Sequence, residues 1–367
     1  MIPSLPLELN DYIVDYLHND TRFLGSCALT CRTWLVAARY HRFREPIVET
    51  DEDLMAFGKL VALSPTLGPV VRRLRISRFT SAVLCSALPA LPALTTLELD
   101  DCDFESGDFT SVDAKLPALQ ELTMELCTIG LDTLAQLLSA LSGLKRLSIA
   151  QPYAILPGVP VLGRLDSLRS LRLDFCDLML GEDAKVLVDW LLSTLQPQQL
   201  LTLHVIRLYD PRPMQPLFDT FGPGGLEHAT IELYYLEGIA TTEFTLERCV
   251  NLRSLSIELG NHTEWEGNTM DLRWSSLLIS QLNSPSLETI TLTVITRPFE
   301  PQDDWEFNDI QALDWQSINC TLQRSVLREL REFKIHGRGS KTSLEARLQE
   351  TCRDAYQRGL FRLIQRD

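Results

Sequence analysis

The sequence predicts an α/β protein: a small N-terminal unit of three helices, followed by a solenoid with a parallel β-sheet on its concave side and helices on its convex side. Three observations carry that expectation. Residues 1–46 hold apolar positions at helical spacing and repeat nothing. From residue 71 onward a seed of the form L-x-x-L-x-L returns ten times. Several segments between seeds again carry apolar residues at 3.6 spacing, so strand and helix alternate along the chain.

In the first unit Ser4 is placed as an N-cap and Pro6 suits a first helical turn. Leu9, Ile13, Tyr16 and Leu17 follow at helical intervals, predicting a helix over residues 6 to 17. Asp20 can cap a second helix over residues 21 to 28, and Arg32, Trp34, Leu35, Ala38, Arg39 and Phe43 continue as a third. A unit of this size is marginal unless something else covers its apolar faces, so a partner is expected. Leu5-Pro6, Glu8-Leu9, Ile13, Leu17, the run from Cys27 to Cys31 and Trp34 together resemble an F-box over residues 3 to 44. The resemblance implies docking on a Skp1-like adaptor and, through it, on a cullin. Leu5, Pro6, Leu9, Ile13, Leu17, Leu29 and Trp34 match positions that face or support the adaptor in that family. The alternative is that these residues form only the internal core of three helices.

Residues 47–70 connect the two parts. Asp51 to Leu63 reads as a helix that covers the open end of the array, and the run from Ser64 to Pro69 stops it. No Gly/Ser-rich linker intervenes, so a fixed orientation between the parts is expected.

The array occupies residues 71–367. Its seeds begin at Val71, Leu94, Leu119, Leu144, Leu168, Leu200, Leu226, Leu252, Leu287 and Leu330, in steps of 23, 25, 25, 24, 32, 26, 26, 35 and 43 residues. In Leu94-Thr95-Thr96-Leu97-Glu98-Leu99 the leucines point inward and Thr96, Glu98 and Asp100 outward, as a strand requires. One such strand cannot bury its face alone, so neighbours must stack. Three copies end in cysteine at a fixed offset, Cys102, Cys127 and Cys176. They resemble cysteine-type leucine-rich repeats, strongly there and more loosely after residue 200. Helices are predicted over residues 131 to 141, 182 to 195 and 271 to 282, and around 310 to 322. Arg297 to Asp304 reads as an exposed loop, His336 to Gly339 as another, Ser343 to Gln357 as a capping helix and Leu360 to Ile364 as a final edge strand.

Composition narrows the function. The chain has 367 residues, 45% hydrophobic and 23% charged, with a formal net charge of −15. Residues 1 to 46 are neutral and residues 321 to 367 carry +5, leaving −20 for residues 47 to 320. That balance repels phosphate backbones and argues against nucleic acid as the main ligand. No apolar run approaches the ~20 residues of a bilayer span, so no membrane association is expected. Pro3, Pro6 and Glu8 interrupt any secretory leader, and the expected location is cytoplasmic, nuclear or both. The nine cysteines are scattered singly without a C-x-x-C pair, which predicts reduced thiols and no metal. The six histidines never fall into a ligand pattern. Gly337-Arg338-Gly339-Ser340-Lys341-Thr342 lacks the glycine directly before lysine that a phosphate-binding loop needs. No catalytic residue and no cofactor is expected.

One surface pattern remains. The outward residue after each seed is acidic in five of ten copies, Asp100, Glu125, Asp174, Glu232 and Glu258. Strands ~4.8 Å apart would set Asp100 beside Glu125 and Glu232 beside Glu258. With Glu98 and Glu121, these carboxylates form a candidate binding row for a basic segment of a target protein; alternatively they serve only solubility. The resemblances together imply a non-catalytic substrate receptor of a ubiquitin ligase. A scaffold without ligase function is the alternative, and a leucine-rich activator of a GTPase would need an isolated Arg or Asn group that the sequence does not single out.

Overall fold

The computed structural model describes residues 7–18, 20–104, 109, 112–156, 165–175, 181–196, 198–208, 210–234, 244–261, 273–296, 310, 313–338 and 341–365. Ser4, Leu5, Pro6 and the segment from Arg297 to Asp304 lie outside them. The protein is a mixed α/β chain, with 13 helices and a large parallel sheet among the described residues. It divides into two compact units, Met1–Lys145 with Leu156–Gly163, and Arg146–Ile155 with Arg164–Asp367.

The first unit opens with α1 (Leu7–Tyr16), α2 (Thr21–Thr30) and α3 (Arg32–Arg44). Asp20 caps α2 as its position predicts, Oδ1 accepting from the Arg22 and Phe23 N–H groups at 3.0 Å. His41, Arg42 and Arg44 lie in the last turn of α3, where cations suit the helix dipole. His41 also reaches back to Asp15 at 2.6 Å and ties α3 to α1. The core here is small: Val14, Leu24, Cys27 and Ala38 are buried, with Leu17, Ala28, Trp34 and Ala37 packed against them.

Directly after α3 the chain joins the sheet. β1 (Ile47–Val48) pairs parallel with β2 (Arg73–Ser77), a two-residue strand too short to show alternation in sequence. Between them α4 (Asp51–Leu63) buries Leu54, Phe57 and Val61. Its predicted bounds hold because Thr50 caps it, the hydroxyl accepting from the Asp53 N–H at 3.2 Å, and Asp51, Glu52 and Asp53 fill the first turn. Gly58 lets α4 approach α5 (Ser81–Ala87): a Cβ there would stand 2.8 Å from the Ala87 carbonyl oxygen.

β3 (Thr96–Asp100) and β5 (Glu121–Glu125) continue the ladder from β2, with Leu74, Leu97 and Leu122 in register and Ile76, Leu99 and Met124 beside them. β4 (Asp103–Phe104) and β6 (Thr128–Gly130) form a second short parallel pair; α6 (Val112–Lys115) and α7 (Leu131–Ala140) complete this part. Arg78, Asp101 and Leu126, each just past a strand, hold positive φ of 63°, 53° and 53° without being glycine. Two of the three signature cysteines satisfy these corners; Cys176 lies outside the described residues. Cys102 Sγ donates to the carbonyl oxygens of Asp100 and Ile76 at 3.2 and 3.7 Å, and Cys127 does the same to Glu125 and Leu99 at 3.2 and 3.6 Å. Its hydrogen bond to Cys102, followed by burial, pushes the Cys127 thiol well above its ordinary value.

The second unit begins with β7 (Arg146–Ala150); β8 (Ala154–Leu156) follows, with its last residue counted in the first unit. β9 (Ser170–Asp174), α8 (Gly181–Thr194), β10 (Thr202–Leu208), α9 (Gln215–Phe221), β11 (His228–Tyr234) and β12 (Ser254–Asn261) follow. The chain ends with α10 (Arg273–Ser280), β13 (Thr289–Thr296), α11 (Trp315–Leu322), β14 (Glu332–Gly337), α12 (Thr342–Thr351), α13 (Arg353–Gln357) and β15 (Phe361–Gln365). Except for β8, these strands pair in parallel in chain order. Two apolar rows cross them: Leu147, Leu171, Leu203, Ala229, Leu255, Ile290, Phe333 and Phe361 in one, and Ile149, Leu173, Val205, Ile231, Ile257, Leu292, Ile335 and Leu363 in the other. Each fully buried Leu or Ile contributes roughly 1.5–3 kcal/mol, so the rows, not local propensity, hold the sheet.

Two expectations need correction here. His336 and Gly337 are in β14, paired with Ile364 and Gln365, rather than in a loop; the neighbouring strand overrides the glycine. The helix expected over residues 343 to 357 breaks at Cys352 (φ −114°, ψ 42°), whose Sγ donates to the Trp315 carbonyl oxygen at 3.6 Å. Within the helix expected around residues 310 to 322, Trp315–Leu322 is helical, and Asp314 caps it by accepting from the Ser317 N–H at 3.0 Å.

Candidate functional site

Two surfaces collect the candidate residues. On α1, Val14 faces inward with no exposure while Leu9 is 50% exposed, Tyr12 71%, Ile13 37% and Tyr16 82%. Their spacing places the four exposed residues on one side of the helix. Phe23 on α2 and Val36 on α3 are exposed too, and Leu29 stands 91% open. Of the seven residues expected to meet an adaptor, Leu9, Ile13 and Leu29 are thus on the surface. Leu17 and Trp34 are half-buried against the internal core, and Leu5 and Pro6 lie outside the described residues. Tyr12 and Phe23 were not singled out from the sequence, although Tyr12 sits three residues after Leu9. Covering Leu9, Tyr12, Ile13 and Tyr16 would remove four large apolar bodies from water, worth on the order of 1 to 2 kcal/mol each at partial burial.

The outward face of the sheet carries the acidic row, and it proves to be interlaced with arginine. In the first unit Arg73 meets Glu98 at 2.7 Å and Arg75 meets Asp100 at 2.8 Å. Both pairs run diagonally between adjacent strands, since Arg75 itself stands opposite Glu98 in register. The Ser77 hydroxyl adds a bond to Asp100 at 3.4 Å. Asp100 and Glu125 are opposite each other as expected, and Arg75 relieves the repulsion. Its guanidinium is held above its ordinary range first by the Asp100 hydrogen bond, with Glu98 and Glu125 adding to it. Glu121 and Glu125 are half-buried on the same face.

In the second unit Asp174 is only 4% exposed. Arg207 grips it with Nε at 2.6 Å and Nη2 at 2.8 Å, and Arg172 lies 3.7 Å away. A bulge between Val205 and Leu208, with Arg207 at φ 56°, turns this arginine toward Asp174. Asp174 is therefore a structural ion-pair partner already occupied from within the chain. Glu232 and Glu258 are in register as expected, the first buried and the second half-exposed. Near them His204 is held below its ordinary value by burial, then by Arg172 and His228. His228 Nδ1 lies 2.7 Å from the Ser254 hydroxyl. The arginines could be read from the sequence only as outward residues; their diagonal pairing depends on register.

Among the described residues no three His, Cys, Asp or Glu side chains group to hold a metal ion, and no helix is long and apolar enough to cross a membrane. Compared with protein-family models the chain matches none, and compared with curated proteins it likewise finds no match.

Proposed function

We propose that the chain is the substrate-recognition subunit of a ubiquitin ligase of the Skp1–cullin–F-box type. The N-terminal helices dock on a Skp1-like adaptor, and a leucine-rich solenoid built on the parallel rows selects a target protein. The observation that carries this reading is the exposed Leu9, Tyr12, Ile13 and Tyr16 face on a helical unit with so small a core of its own. On this reading the chain supplies no acid, base or nucleophile. It raises the effective concentration of a target lysine near a charged conjugating enzyme, so its contribution is proximity.

The test is binding to a purified Skp1-like adaptor by calorimetry. Leu9→Glu with Ile13→Glu places charge in the docking face and lowers affinity by about 2 kcal/mol or more, roughly thirtyfold. Trp34→Ala also weakens binding, but through the core that Trp34 supports, so its loss is accompanied by a lower melting temperature. The reading fails if the Leu9/Ile13 variant, with an unchanged circular dichroism spectrum, binds the adaptor as tightly as the parent.

A further inference from the structure

A second opening lies in the first unit, between α2, α3 and the end of α4, with a cavity volume of about 580 Å³. None of the exposed α1 residues lines it. Its apolar wall includes Leu29, Leu35, Phe43 and Leu60, while Arg22, Arg39 and Arg42 supply its charge. Among the described residues no aspartate or glutamate lines it, and none of the three arginines makes an ion pair. Arg42 lies against α2: its Nη1 is 3.6 Å from where a Cβ on Gly25 would be. In a chain of net charge −15, three guanidinium groups line an apolar groove and meet no carboxylate among the described residues.

We propose that this groove is a docking site for an acidic protein segment carrying leucine-like anchors, distinct from the α1 face. Guanidinium groups donate to carboxylates in bidentate geometry, and the apolar wall strengthens such pairs by excluding water. The same wall favours a peptide over a nucleic acid, which would offer no apolar side chain and would be repelled by the −20 balance of residues 47 to 320. The groove thus adds a second recognition surface, for a ligand of opposite charge to the one expected on the acidic sheet face.

The experiment is fluorescence anisotropy on the full chain with a labelled synthetic peptide of repeating Glu-Glu-Leu, alongside a Gln-Gln-Leu counterpart. Saturable binding of the glutamate peptide is expected, with the glutamine peptide at least tenfold weaker. Arg22→Gln, Arg39→Gln and Arg42→Gln combined lower affinity at least tenfold at an unchanged melting temperature. Leu9→Glu with Ile13→Glu leaves peptide binding intact, which separates this site from the α1 face; Leu29, which the resemblance assigns to the adaptor, lines the groove and is unchanged in that variant. The proposal is overturned if neither peptide saturates, if the glutamine peptide binds equally well, if the arginine variant binds like the parent, or if a single-stranded oligonucleotide of equal charge displaces the peptide more effectively than unlabelled peptide does.

Discussion

Replacing Arg207 with methionine tests whether the sheet's outer face is held by charge. Methionine keeps the Cβ and the aliphatic length, so the left-handed backbone at this bulge is strained as before and the guanidinium is the main loss. Asp174, 4% exposed in the parent, then loses hydrogen bonds of 2.6 and 2.8 Å. Stranding one member of a buried ion pair costs roughly 3–5 kcal/mol. Arg172 at 3.7 Å offsets part of that, but its side chain is half in water, so the lower end, about 3 kcal/mol, is expected. Asp174→Leu with Arg207→Met removes both charges and is expected to recover all but about 1 kcal/mol of the loss. The assay is urea unfolding followed by circular dichroism, with the slope of each curve compared, because a chain of two compact units can depart from a single cooperative transition. Repeating it in 1 M salt separates buried from exposed pairs, since only the latter are strongly screened. A loss under 1 kcal/mol for Arg207→Met, or a double variant worse than the single one, refutes the argument.

Two further outcomes follow from the same geometry. Gly58→Ala forces a Cβ to within 2.8 Å of the Ala87 carbonyl oxygen, so α4 must move off α5; a destabilisation of roughly 1–3 kcal/mol is expected, and a melting temperature equal to the parent's would contradict the close approach. His204 is held below its ordinary value by burial, so the unfolded chain binds its proton first as pH falls. Its contribution to stability is intact above about pH 6.5 and declines as pH falls from there toward the depressed folded value. His204→Gln therefore shows a smaller drop in urea midpoint between pH 7 and pH 5 than the parent, and an equal drop would rule the contribution out.

Much of the fold was legible because burial writes itself into spacing. Every seed fell on a strand, and each strand begins two residues after its seed: Val71 leads to Arg73, Leu168 to Ser170 and Leu330 to Glu332. The helices at Asp51–Leu63 and Leu131–Ala140 were legible for the same reason. What escaped was short or non-local. β1 has two residues, and the β4–β6 pair scarcely more. The corners at Arg78, Asp101 and Leu126 carry no glycine to announce positive φ. For the candidate site, helical spacing marked Leu9 and Ile13, but the same spacing could not say which side of α1 faced inward. Val14 decides that, and only packing against Leu24, Cys27 and Ala38 reveals it.

The arginine partners also change what the sheet face can recognise. A row of seven carboxylates would select a strongly basic ligand, yet Glu98, Asp100 and Asp174 already hold cations at 2.6 to 2.8 Å. A ligand that displaced Arg207 would have to repay the desolvation of Asp174, which makes that position a poor anchor. Beside the acidic row, Thr230, Ser256 and Thr291 stand opposite one another on successive strands, with the His228–Ser254 contact in the row before them. These groups offer both donors and acceptors without net charge. On the substrate-receptor reading, specificity in the second unit rests on hydrogen bonding to this hydroxyl row, with Glu258 contributing charge at its edge. Thr230→Val with Thr291→Val would then weaken target capture more than Glu258→Gln does, and the reverse order would return the weight to electrostatics.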